Sequence, residues 1–159
     1  MKMREILFRG KQTDNGKWIY GGYFHLHKTT YCCAEADDGN NDIHRIVFER
    51  MTDWNLPNQH MMADVLPETV GQYTGLTDKN GKKIFEGDIV RLTDEHNEIE
   101  WTAVVVFGNP NGEYNWGWQL KAIGEFDGNK DILLWVDMEE SGAYCEVIGN
   151  IHDNPELME

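Results

Sequence analysis

Cysteine is scarce in this 159-residue chain, with only Cys32, Cys33 and Cys145. An odd number, two of them adjacent, makes neither a disulfide framework nor a C-x-x-C pair. Serine is scarcer. Ser141, in the acidic stretch Glu139-Glu140-Ser141-Gly142, is the only one, so there is no G-x-S-x-G elbow and no basis for serine-nucleophile catalysis. Neither G-x-x-x-x-G-K-[ST] nor G-x-G-x-x-G is present to cradle a phosphate. No apolar stretch approaches the roughly 18 residues of a membrane-spanning helix. The N-terminal MKMREILFRGK has a three-residue apolar run. We expect neither a signal nor a transit peptide, and a soluble cytoplasmic protein with reduced thiols.

Basic residues are the other shortage. Fourteen Lys+Arg face 28 Asp+Glu, a net charge of −14. Phosphate backbones and anionic membranes both demand a basic footprint, so direct nucleic-acid binding and membrane-surface binding are not expected. The deficit is uneven. Residues 1–50 hold 8 basic and 7 acidic residues, whereas from Leu92 onward only Lys121 and Lys130 oppose 15 carboxylates. A solvated acidic surface accounts for this, and so does an anionic face that docks on a basic partner.

What is plentiful is strand and turn signal. The length fits one ordinary domain or two small subdomains. Arg4–Arg9 reads as a short strand, and Asn15-Gly16 as a type I′ turn. Lys17–His27 alternates with period two, with Trp18, Tyr20, Phe24 and Leu26 on one side and Ile19, Tyr23, His25 and His27 on the other. We place the first set inward and the histidines toward solvent. A second hairpin is expected from Tyr31–Glu35 through Asp37–Asp42 into Ile43–Met51. Thr52–Pro67 reads as a connector with room for one short helix. Strand signals resume at Val70–Leu76, turn at Asn80-Gly81, and continue through Lys82–Leu92. Ile99–Gly108 is rich in β-branched residues and reads as a central strand. Tyr114–Ile123 and Tyr144–Ile151 read as further strands, Asp131–Met138 as a strand or a helical turn, and Pro155–Met158 as a terminal turn. The expected fold is mainly β with little helix: an N-terminal hairpin/meander subdomain over residues 1–66, packed with an acidic, SH3-like small β-barrel over residues 67–159.

Candidate chemistry is thin. His25 and His27, at i and i+2 on a strand, point the same way and could share a zinc ion, with Cys32 or Cys33 adding a thiolate. No C-x-x-C or H-E-x-x-H spacing accompanies them, and an exposed pair without metal is the plainer expectation. Asp37–Asp42 fails the calcium-loop pattern because Gly39 comes too early and no bidentate Glu follows. Trp101, Trp116, Trp118 and Trp135 would need basic neighbours to serve as a base-stacking platform, so core packing is the better reading. No cofactor and no catalytic residue is assigned.

Thr69–Leu76 (TVGQYTGL), Asp78–Lys82 (DKNGK) and Ile84–Val90 (IFEGDIV) together strongly resemble the signature of the YopX family, small proteins of bacterial phages and prophages. REILFRG with DNGKWIY resembles the family's opening hairpin, and VIGNI with NPEL its closing strand and tail. Tyr31–Pro67 and Glu95–Val136 inherit little from it. The resemblance implies a phage or prophage origin and a shared fold, with no catalytic set. It marks Gly71, Gln72, Tyr73, Thr74, Gly75, Asp78, Asn80, Gly81, Gly87, Asp88, Gly149 and Asn150 as fold-specifying residues. The phrase Glu86-Gly87-Asp88-Ile89-Val90 is also similar to the entry strand of many SH3-like barrels.

These readings favour an accessory protein that binds a basic protein partner, DNA mimicry being the extreme form. A self-assembling scaffold, as a homo-oligomer that covers its strand edges, is the second expectation. A metal-dependent hydrolase built on His25, His27, His44 and neighbouring carboxylates is the third.

Overall fold

A computed structural model describes residues 5–27, 42–94, 100–112, 116–125, 128–136 and 143–159. The expected Tyr31–Glu35 strand, the Asp37–Asn41 turn, Cys32, Cys33, Tyr114 and Ser141 lie outside them. The chain divides into two compact units, Glu5–Gln72 and Tyr73–Glu159. The fold is mainly β. The strands form two antiparallel sheets and, among the described residues, close no barrel.

The first unit is a meander of β1 (Phe8–Lys11), β2 (Trp18–His27), β3 (Asp42–Arg50) and β4 (Gln59–Asp64), in the order β4-β3-β2-β1. Gly71 and Gln72, at the head of β5 (Gly71–Thr77), pair with Arg9 and Phe8. β4 falls where a connector was expected. Its sequence, QHMMAD, lacks β-branched residues, so propensity hides it. Pairing reveals it: Met61 and Ala63 sit opposite Phe48 and Ile46, where both are partly buried, while His60 and Met62 face outward.

The inward face of β2 is the reverse of the expected one. Ile19, Gly21 and Tyr23 lie on the side of fully buried Ile46, whereas Tyr20, Phe24 and Leu26 are about half exposed. The cause is backbone approach. A Cβ on Gly21 would overlap the Val47 carbonyl oxygen, so only glycine lets β3 come this close on that side. Ile46 and Val65 then close over Gly10. His25 and His27 share this inner side, but they lie at the end of the strand beyond Tyr23 and are exposed there.

In the second unit, Tyr73–Thr77 of β5 forms a hairpin with β6 (Lys83–Phe85). β7 (Asp88–Thr93), β8 (Glu100–Gly108), β9 (Gly117–Ile123) and β10 (Tyr144–Asn150) form an open sheet in the order β10-β7-β8-β9. β7 and β8 are interior, and β8 is the central strand that its β-branched run suggests. Val90, Leu92, Ala103, Val105, Leu120, Cys145 and Val147 share one face. Ile84 and Ile132 complete that buried cluster, with Trp101, Trp118 and Trp135 packed at its margin. Asp131–Met138 contains one helical turn, α1 (Leu133–Val136), and Pro155–Met158 is a 3-10 turn. Trp116 does not join Trp118 in the core. It precedes β9 and is 75% exposed.

Two local expectations need correction. Lys82–Leu92 is two strands, because Gly87 takes a positive φ of 78° and turns the chain between β6 and β7. The Asn-Gly turns are not type I′, since Asn15 and Asn80 keep negative φ and only Gly16 and Gly81 are left-handed. At 78–82 the Gly81 N–H donates to the Asp78 carbonyl at 2.9 Å and the Asp78 N–H to the Lys82 carbonyl at 2.8 Å. That is a three-residue hairpin loop closed by a left-handed glycine.

Candidate functional site

Among the described residues, a cluster of metal-ligating side chains lies at the β2–β3 end of the first unit. The register places His25 opposite His44 and His27 opposite Asp42, so Asp42 is cross-strand to one histidine and diagonal to the other. Its carboxylate uses both oxygens. His25 Nε2–H donates to Oδ2 and His27 Nδ1–H to Oδ1, each at 2.8 Å. These two hydrogen bonds hold the Asp42 carboxyl below the usual carboxylate range. The His25 ring is stacked on His44, with centroids 4.6 Å apart and planes 10° from parallel. His44 is fixed in turn by a 2.6 Å hydrogen bond between its Nδ1 and the Tyr23 hydroxyl. Burial, and then the charge of Asp42, push the Tyr23 hydroxyl above its ordinary range, so it stays protonated.

One carboxylate oxygen and two imidazole nitrogens, one from each residue, fall within 4.8 Å of one another. The histidine pair was legible as i, i+2 on a strand. Asp42 was not, because it lies 15 residues beyond His27 and only the hairpin register brings it back.

The signature residues of the second unit and its junction do a different job. Asp78 is buried, and its Oδ1 accepts the N–H groups of Asn80 (2.8 Å) and Lys82 (2.9 Å). Its Oδ2 accepts the buried N–H of Val147 at 3.0 Å, tying the β5–β6 turn to β10. Asp88, 1% exposed, accepts the Phe85 N–H at 2.8 Å across the Gly87 turn. Thr74 donates to the Ile84 carbonyl at 2.9 Å, and Tyr73 packs on Phe85. Gly75 is left-handed. Gly149 is backed by the Asn154 amide, and Asn150 Oδ1 accepts the N–H groups of His152 and Asp153. Gly71 and Gln72 pair with β1, as described. These residues set turns and fill buried hydrogen bonds.

Residues 73–159 hold 6 Lys+Arg and 18 Asp+Glu, a net of −12. Lys79 is engaged by Glu146 at 2.8 Å and by the Tyr144 ring, and Arg91 Nε lies 3.9 Å from Glu100. Glu125, Glu156 and Glu159 are exposed. Cys145 offers no nucleophile. Burial, and then the carboxylates of Asp78, Asp88 and Glu146, push its thiol up to about 12. No helix among the described residues is long and apolar enough to cross a membrane.

A family model described as YopX protein matches residues 7–159. No curated protein matches the chain. Among solved structures, the crystal structure of protein EF1440 from Enterococcus faecalis is similar, with a TM-score of 0.48 and 22% identity, over 99% of this chain and 100% of that one.

Proposed function

This chain belongs to the YopX family, and we propose that it acts by binding a basic protein partner through the anionic unit Tyr73–Glu159, with no chemistry of its own. The observation that carries this reading is the segregation of charge, 18 acidic against 6 basic residues in that unit. Pairing Lys79 with Glu146 and Arg91 with Glu100 removes one charge of each sign per pair, so the acidic surplus of that unit stands undiminished. The buried Asp78 and Asp88 belong to the fold and are not part of the surface that would meet a partner. A surplus of this size steers a cationic surface of the kind nucleic-acid-binding proteins present, and repels nucleic acid itself. A phage or prophage source and a site of action in the host cytoplasm are part of the proposal, as is an SH3-like character for the strands that follow Gly87.

Self-association is the second reading. It is favoured by Tyr20, Phe24, Leu26 and Met62, exposed apolar side chains on one face of the first sheet. Light scattering separates the two, since a monomer at high concentration removes self-association.

The test of the main reading is capture from host and phage-infected lysates, washed at low and then high salt. A basic protein retained at about 50 mM salt and released near 0.5 M is expected, because exposed charge pairs are screened over a few ångströms at the higher strength. Partners that are acidic, or that resist the high-salt wash, would overturn it.

A further inference from the structure

We infer that His25, His27 and Asp42 form a binding site for one divalent cation of the zinc type, with a coordination position left open to water or an exogenous ligand. This stands apart from the proposed binding role, because the site lies wholly in the Glu5–Gln72 unit and uses none of the acidic surplus of the other unit.

The donor set is two imidazole nitrogens and one carboxylate oxygen. That combination suits zinc and its first-row neighbours, whereas calcium and magnesium require oxygen-rich shells. The spacing is close to what coordination needs. Metal–ligand bonds of about 2.0–2.2 Å at tetrahedral angles put ligand atoms about 3.4 Å apart. The two nitrogen–oxygen contacts are 2.8 Å, and no pair of the three ligand atoms is separated by more than 4.8 Å. A cation therefore replaces the two shared protons after a shift of about an ångström. His27 can supply that shift, since its side chain is 84% exposed.

The other two ligands are held more firmly. Asp42 and His25 sit on paired strands, and the His25 ring is clamped by stacking on His44, itself fixed by Tyr23. Such outer partners orient a metal-binding imidazole. The Asp42 carboxylate, already bidentate toward both rings, is positioned between them. Among the described residues three protein ligands meet at this exposed strand end, and the fourth position goes to water or an exogenous ligand.

The test uses the full chain without a histidine tag, stripped with chelator and titrated with ZnCl2 in a calorimeter. One equivalent should bind, with Mg2+ and Ca2+ failing to displace it. Co2+ substitution should give the intense visible bands of a four-coordinate ion. In nitrogen-detected NMR, His25 Nε2 and His27 Nδ1 should move while the His60 ring stays put. His27→Asn, at an exposed side chain that folding does not need, should weaken zinc binding about tenfold or more. Asp42→Asn should do the same. His60→Asn, which alters another exposed histidine near a carboxylate in the same unit, should leave the affinity unchanged. The inference is overturned by absence of saturable single-equivalent binding, by undiminished affinity in His27→Asn, or by equal competition from Mg2+.

Discussion

Replacing Asp78 with alanine should unfold the second unit more readily than any surface charge change. The carboxylate is 6% exposed and accepts three backbone N–H groups. Those of Asn80 and Lys82 lie in a turn that water can reach after truncation, so each loses only the net worth of a hydrogen bond, about 1 kcal/mol. That of Val147 is buried and stays unpaired, at about 1–3 kcal/mol. Relief of the desolvated charge offsets part of the sum. The expected cost is about 3 kcal/mol for Asp78→Ala. Asp78→Asn keeps one acceptor for the turn but sets an amide NH2 against the Val147 N–H, and should cost about half as much. Urea unfolding followed by tryptophan fluorescence reads this unit through Trp101, Trp118 and Trp135. With a slope of about 2 kcal/mol/M, the alanine variant's midpoint should fall by about 1.5 M. A midpoint within about 0.25 M of wild type, or equal losses in the two variants, would refute the role given to Asp78.

Three further outcomes follow from the same packing and hydrogen bonding. Gly21→Ala should destabilise the first unit by more than about 3 kcal/mol, because its Cβ meets the Val47 backbone, whereas Gly22→Ala, with open space around it, should stay within about 1 kcal/mol by thermal denaturation. The raised Cys145 pKa means that the folded state holds the thiol proton more tightly than the unfolded chain does. Its contribution is complete below the ordinary thiol range and is lost as pH rises toward about 12. The stability difference between wild type and Cys145→Ala should accordingly shrink by about 1–2 kcal/mol between pH 9 and 10.5 in denaturant titrations, and a constant difference contradicts the burial argument. Glu146 is held below its ordinary range by Lys79, so its share of stability is present at neutral pH and lost as pH falls through its folded value. In Lys79→Met, carboxyl NMR should show Glu146 titrating at higher pH.

Much of this was legible in the chain, and the misses have physical causes. Ile99–Gly108 announces β8 because its three consecutive β-branched valines favour a strand, and Val104 and Val105 are buried on its opposite faces while Val106 is partly buried. The turns at Gly16 and Gly81 were placed correctly, but their type depends on asparagine backbone angles that composition does not set. β4 was hidden because QHMMAD carries no strand propensity and is recruited by pairing with β3. The orientation of β2 was misjudged because side-chain polarity favoured Phe24 and Leu26, while the missing Cβ of Gly21 decided which side β3 could approach. Within the candidate site, the histidines were visible as a pair. Their third partner required the hairpin register, and the clamp of Tyr23 and His44 on His25 depends on cross-strand ring packing that sequence spacing does not set.

The central claim, a salt-sensitive anionic binding unit, is tested most directly on a purified complex. Dissociation constants would be measured across a salt series for the wild type and for a triple variant, Glu125→Gln with Glu156→Gln and Glu159→Gln, all exposed in this structure. Affinity should fall steeply with salt for the wild type, and the variant should bind more weakly at low salt with a shallower dependence. A dissociation constant that is flat in salt, and indifferent to the three neutralisations, would contradict the account.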